Sequence, residues 1–294
     1  MRDAPPIAVV HHVQAAMRRG ALRRQLQAVA AGKLEEISVD LEHAGVDVAS
    51  LVEEVTDGRP AESFEVQRLV IAFKNSGAAD HVIERLSAKS PQQRVMAARI
   101  VGALRMYDAV PWLARLLESR DRAVSDAAAL ALGKIRGRNS AGALVATIQR
   151  RGLNRRLVAE LARSAPDLYI ESALGEPQKP SVIPALALAA GLRRRRAATR
   201  PLIDLLEHGT RRERVISCRA LGWIGSGTVI PTITVALRDH DWKVRMSAAK
   251  ALGALHARSA RDDLKFLEID LNPRVRKAAH QALNQLRREM PHGA

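Results

Sequence analysis

A block of small apolar residues closing on a glycine returns along this 294-residue chain at a nearly fixed spacing. Arg94-Val95-Met96-Ala97-Ala98-Arg99-Ile100-Val101-Gly102 recurs as Ala128-Ala129-Leu130-Ala131-Leu132-Gly133. It returns as Arg214-Val215-Ile216-Ser217-Cys218-Arg219-Ala220-Leu221-Gly222 and as Val244-Arg245-Met246-Ser247-Ala248-Ala249-Lys250-Ala251-Leu252-Gly253. A last copy runs from Val275 to Asn284. The closing residues stand at 102, 133, 222, 253 and 284, and the 89-residue gap leaves room for degenerate copies ending at Ala162 and Gly191. Seven anchors then lie 29 or 31 residues apart. A period of that length is the mark of a chain built from one repeated supersecondary unit.

A second pattern alternates with the first. Ala109–Leu117, Thr199–Leu206 and Thr228–Leu237 each carry Pro in or near a first helical turn (Pro111, Pro201, Pro231), where the missing N–H costs nothing. Apolar residues then recur at i, i+3 and i+4, one face of a helix. Each repeat is expected to be a hairpin, helix A beginning near the proline and helix B ending near the anchor. The paired alanines of helix B let neighbouring helices approach closely, and the anchor glycine is expected to close helix B in a left-handed conformation. Only 3% of the residues are aromatic, so the core is Leu, Ile, Val and Ala, which suits packed helices better than a β-sandwich.

The pattern Asp-x-x-Val-Arg followed by Ala-Ala-x-Ala-Leu-Gly resembles HEAT repeats, of the short type first named from phycobilisome lyases. Asp241-Trp242-Lys243-Val244-Arg245, continuing to Gly253, is the fullest copy; Asn272 replaces the Asp in one repeat and Ser125 the Arg in another. The resemblance covers residues 91–288 well and reaches weakly back to 61, through Phe64–Phe73 and Ala78–Leu86. It implies an all-α fold, an α-solenoid of about seven helical hairpins over residues 61–288. With helices 8–10 Å apart, seven repeats would present a surface roughly 70 Å long.

Residues 1–60 lie outside the repeat and are expected to form an N-terminal helical cap, since an uncapped solenoid end would expose an apolar face. Val9–Ala31 has helical periodicity, and Leu34–Val55 offers two short acidic helices separated at Gly45. Residues 289–294 read as a C-terminal tail. An alternative for Val9–Ala31, with Arg18, Arg19, Arg23 and Arg24, is the approach to a membrane anchor. The first six residues show no signal-peptide pattern, and the longest uncharged apolar stretch, Val182–Leu192, is too short for a membrane span. One cysteine, Cys218, allows no intramolecular disulfide and suits a reducing compartment, so a cytoplasmic location is expected.

The net charge of +16 is unevenly placed. Residues 1–90 carry 11 basic and 13 acidic side chains, whereas residues 91–294 carry 36 and 18. Residues 33–65 hold ten acids against two bases. An Arg-rich composition of the kind a GC-rich genome produces would explain 38 Arg to 9 Lys, but it does not explain why acids fail to balance them. The excess points to an acidic protein partner, with nucleic acid and an anionic membrane surface as alternatives.

Catalytic signatures are missing from the sequence. There is no His-Glu-x-x-His, no Gly-rich phosphate loop and no Gly-x-Ser-x-Gly elbow. The His-Glu pairs of the HEAT-repeat deoxyhypusine hydroxylases are absent; Glu42-His43 and Glu207-His208 run in the opposite order. HEAT-like alkylpurine DNA glycosylases share the basic architecture, but none of their residues carries over onto Trp112, Trp223 or Trp242, expected in early helix A, the B-to-A turn and the turn before helix B. Cys218 takes a repeat position held elsewhere by Ala98, Ala129 and Ala249, which makes it core. The expectation is a protein without metal, cofactor or small-molecule substrate.

Three sets of cations remain. Arg94, Arg214, Arg245 and Arg276 stand eight before the anchor, where the resemblance implies a ladder between repeats, with Asp241 and Asp270 as partners for Arg245. Ten and three before the anchor stand Arg212, Lys243, Arg274 and then Arg99, Arg219, Lys250, expected to be exposed on helix B, the helix that lines the concave side in this family. Arg150, Arg151, Arg155 and Arg156, and Arg193, Arg194, Arg195 and Arg196 with Arg200, fall in inter-helix turns and are expected along one solenoid edge, where Arg forks suit phosphate or carboxylate.

Overall fold

The computed structural model describes residues 7–38, 47–60, 62–166 and 168–288, leaving aside the side chains of 7–15 and 288. The expected tail at 289–294, the first six residues, and Asp40, Glu42 and Gly45 lie outside the described residues. Among the described residues there are 17 α-helices and no strand. The chain divides into two compact units, residues 1–144 and 145–294.

The first unit opens with α1 (Ile7–Ala30), α2 (Val48–Thr56) and α3 (Phe64–Asn75). The hairpins α4 (Ala78–Arg85) with α5 (Pro91–Ala103) and α6 (Val110–Leu116) with α7 (Arg122–Ile135) follow. The division point falls within α8 (Arg138–Arg151), helix A of α9 (Arg155–Ser164). Three more elements of the second unit are α10 (Tyr169–Gly175), α11 (Ile183–Leu192) and α12 (Thr199–His208). It ends with α13 (Arg211–Ile224), α14 (Ile230–Val235), α15 (Trp242–Ala254), α16 (Arg261–Phe266) and α17 (Pro273–Arg288). All seven anchors fall on a helix B, six of them in its last turn. Each unit is therefore a piece of α-solenoid, and its helices B stack side by side, α5 on α7 and α11 on α13, α15 and α17 in turn.

Local chemistry starts these helices. Asp121, Asn154, Asp241 and Asn272 each accept a backbone N–H two residues on at 2.8–2.9 Å, so asparagine caps as aspartate does. Thr210 closes a reciprocal capping box with Glu213. The buried stripe Val244, Ala248, Ala249 and Leu252 then seats α15 between its neighbours, and enclosing a Leu of this kind contributes about 2–3 kcal/mol.

The anchor glycines do something other than expected. They are ordinary helical residues, and Gly102, Gly191, Gly222 and Gly253 each face an alanine of the next helix B. A Cβ on Gly102 would lie 2.7 Å from Ala131 Cα, one on Gly222 3.0 Å from Ala251 Cα, and one on Gly253 3.0 Å from Ala282 Cα. Close approach of helices, not backbone freedom, is what requires them. The left-handed residue comes three positions later, at Arg105, Arg136, Arg194, Gly225 and His256, with φ between 51° and 77°. After Gly102, Gly191 and Gly253 the turn closes by paired hydrogen bonds: Arg105 N–H to Gly102 O and Met106 N–H to Val101 O is one such pair.

The N-terminal segment differs from the expected elements in one stretch. Residues 34–38 are not helical, so the first of the two acidic helices does not form there. The second, α2, packs beside α5 as α5 packs beside α7, while α3 packs against α4 and α1 against both α2 and α3. Sequence that carries no repeat pattern thus takes the place of a helix B.

Candidate partner-binding surface

Two of the four ladder arginines, Arg214 and Arg245, meet carboxylates that sit 14 residues before the next anchor. Arg245 donates from Nε to Asp270 Oδ2 at 2.8 Å and from Nη2 to Oδ1 at 3.0 Å, and Arg214 meets Asp239 in the same way at 2.8 and 3.1 Å. Asp241, the other expected partner of Arg245, caps α15 instead. The Arg245 hydrogen bonds hold the Asp270 carboxyl below its ordinary 3.8 against the opposing effect of burial. Arg94 and Arg276 reach only backbone carbonyls five or six residues away.

Of the six cations assigned to the helix-B face, five point to solvent: Arg212, Arg219, Lys243, Lys250 and Arg274. All lie on α13, α15 and α17. The positions ten and three before an anchor are two helical turns apart, about 10 Å along the axis. Arg219 stacks over the Trp223 ring at 5.4 Å, and Trp242 is flanked by Lys243 at 5.5 Å and Arg274 at 5.3 Å. An Arg held over an indole still has N–H groups to offer an anion, with less rotamer entropy left to lose.

The sixth, Arg99, is already engaged, contrary to its assignment as a partner-binding residue. Its Nη1 donates to Asp47 Oδ2 at 3.0 Å, and its Nη2 to Glu53 Oε2 at 2.6 Å and Ser50 Oγ at 2.9 Å. Lys134, one residue past the next anchor, donates to Glu53 Oε1 at 2.9 Å. Burial would raise the Glu53 carboxyl, but the hydrogen bonds and charges of Arg99 and Lys134 outweigh it and keep the group below its ordinary 4.5. Asp47 is likewise lowered: burial opposes, and Ser50 and Arg99 prevail. An acidic helix has come to rest against this cation because the chain itself supplies one.

The two arginine clusters also separate. Arg150, Arg151, Arg155 and Arg156 surround the turn from α8 to α9, an A-to-B turn, and are exposed. Arg193–Arg196 follow α11 in a B-to-A turn, so the clusters mark opposite ends of the hairpins and not one edge. Arg193 donates to the Ala165 carbonyl at the end of α9, and Arg195 Nε bonds Glu171 Oε1 at 2.6 Å, leaving Arg194, Arg196 and Arg200 exposed.

A cleft of about 420 Å³ opens beside Arg219 and Lys250, lined also by Val215, Trp223, Met246 and Ala251. The apolar lining was not foreseen in the sequence. Trp223 belongs to the last turn of α13, not to the expected turn, and its ring lies against Gly191, where a Cβ would meet Cε3 at 2.9 Å. Its signal was its place one residue past an anchor, where Lys134 and Ala254 stand in other repeats.

Cys218 is fully enclosed, and burial pushes its thiol up to about 12. Among the described residues no three His, Cys, Asp or Glu side chains cluster as metal ligands would, and no helix is long and apolar enough to cross a membrane.

A family model for HEAT repeats matches residues 79–163 and 199–284, more than half of the chain. No curated protein matches it. Among solved structures, human deoxyhypusine hydroxylase in complex with glycerol is 17% identical, covering 82% of this chain and 96% of its own at a TM-score of 0.38. An engineered protein is 18% identical, covering 91% and 79% at 0.36. The Escherichia coli protein YibA is 12% identical, covering 87% and 100% at 0.39.

Proposed function

We propose, from the premise that this chain belongs to the HEAT-repeat family, that it is a non-catalytic scaffold holding an acidic protein partner against the helix-B face of residues 145–294. The observation that carries this reading is the set of five solvent-facing cations, Arg212, Arg219, Lys243, Lys250 and Arg274, on three consecutive helices B. No carboxylate within 4.0 Å pairs with any of them among the described residues. Ladder arginines and N-caps engage Asp239, Asp241 and Asp270 of the same hairpins, so these carboxylates do not reach the five cations, which stay available to a partner. Mechanistically the protein positions: rigidity comes from nearest-neighbour repeat contacts, and charge complementarity sets register and on-rate.

A second reading, sequence-tolerant binding of DNA or RNA, is favoured by the exposed Arg194, Arg196 and Arg200 and the cluster around Gly152. Such contact would be to phosphates and steeply dependent on salt. Fluorescence-polarisation titration of labelled duplex and single strands across salt separates the two. The scaffold reading expects negligible binding at physiological salt. Micromolar or tighter binding with a steep logarithmic salt slope would replace it with the nucleic-acid reading. Charge reversal at Arg219, Lys243 and Lys250 together is expected to weaken capture of the native partner without unfolding the chain; unchanged affinity would remove this face from consideration.

A further inference from the structure

We propose that the cleft over α13 and α15 receives an amphipathic acidic helix of the partner, whose carboxylates meet Arg219 and Lys250 as those of the chain's own α2 meet Arg99. The inference rests on the scaffold reading and adds to it the place and the chemistry of the occupant.

The first unit provides the precedent. α2 buries Val48, Leu51, Val52 and Val55, spaced i, i+3, i+4 and i+7, while Asp47 and Glu53 reach the cation three before the anchor on α5. Glu53 also takes Lys134, one past the anchor on α7. Carboxylates carried on an amphipathic helix therefore satisfy the cations of this repeat position, while the aliphatic stripe of α2 packs beside α5 in the place of a helix B. In the second unit Arg219 and Lys250 stand where Arg99 stands, but neither has a carboxylate partner among the described residues. Between them lies an open cleft of about 420 Å³, within the ~300–1,000 Å³ typical of ligand pockets. Its lining supplies Val215, Met246, Ala251 and the Trp223 ring for aliphatic side chains, and it contains no acidic residue. Helix-in-groove recognition reads such i, i+3, i+4, i+7 anchors. Nucleic acid suits the charge but not this floor: stacking of bases needs aromatic platforms, and Trp223 is the one ring in the lining.

The test titrates the full chain into a fluorescein-labelled peptide with the chain's own residues 47–57, read by polarisation. Two control peptides replace Asp47, Glu53 and Glu54 by their amides, or Leu51 and Val52 by Ser. The proposal expects saturable binding, weakened about tenfold or more by either control and by Arg219→Glu with Lys250→Glu. Trp223→Ala and Met246→Ser are expected to weaken the parent peptide more than the Ser control, with circular dichroism unchanged. If the Ser control binds as tightly as the parent, the cleft is not the seat, and the basic-face reading stands without it. If no acidic peptide binds while a 20-base-pair duplex does, and the double charge reversal abolishes that, the cleft belongs to nucleic acid and both readings fall.

Discussion

Arg99 and Lys250 occupy the same place in the repeat, three residues before the anchor glycine, yet one is a structural group and the other is open. In the N-terminal unit a non-repeat segment returns as α2 and lays Asp47, Ser50 and Glu53 around Arg99. In the C-terminal unit the neighbouring helices are themselves repeats, Asp239, Asp241 and Asp270 serve ladders and a cap, and Lys250 and Arg219 face solvent. The difference teaches that position within a repeat fixes where a side chain points but not what it does. The role is set by what the flanking sequence brings to meet it.

Substitutions and acid put that contrast under strain. The largest effect is expected from Glu53→Lys, which would place a third cation against Arg99 and Lys134 and lose about 3 kcal/mol from the N-terminal unit, since a partly buried charge is left unpaired. Hydrogen exchange should show lost protection in α2 and α5, and unchanged protection in both would break the comparison. Next, Arg245→Ala removes a bidentate, largely buried rung and should cost about 2 kcal/mol, measured by denaturant unfolding. Arg94→Ala, which loses only bonds to nearby carbonyls, should cost less than about 1 kcal/mol. Equal losses would mean that the carboxylate adds nothing to the rung.

The smallest effect concerns acid. The folded-state carboxyls of Asp47 and Glu53 lie below their ordinary 3.8 and 4.5, so the stability they supply is present above those values and lost as pH falls through the folded ones. Asp270 behaves alike in the other unit. Unfolding followed below pH 4.5 should therefore show Glu53→Gln flattening the loss in the N-terminal unit alone. A flattening of both units would mean that the unit boundary does not isolate them.

Much of the fold was legible because it is a volume code that recurs at anchor after anchor. Glycine at 102, 222 and 253 and alanine at 131, 251 and 282 are dictated by helices that nearly touch, and such constraints show in one sequence. The closing turns were misread because Arg105, Arg194 and His256 take the left-handed position without the glycine that would announce it. The engagement of Arg99 was hidden for a different reason: Asp47 and Glu53 lie 52 and 46 residues upstream, in a segment with no period to align. The surface cations at 212, 219, 243, 250 and 274 followed from the period, while the apolar lining of Val215, Met246 and Trp223 between them did not, because one-face helical patterns place exposed apolar residues in the core.

The central claim is that one repeat position serves folding in the first unit and is left open in the second. Matched charge reversals, Arg99→Glu and Lys250→Glu, test it most directly when each purified variant is unfolded by denaturant with hydrogen exchange read unit by unit. Arg99→Glu, set against Asp47 and Glu53, is expected to remove about 2–3 kcal/mol from the N-terminal unit, whereas Lys250→Glu stays within about 0.5 kcal/mol of the parent. Comparable losses from both, or a silent Arg99→Glu, would contradict it.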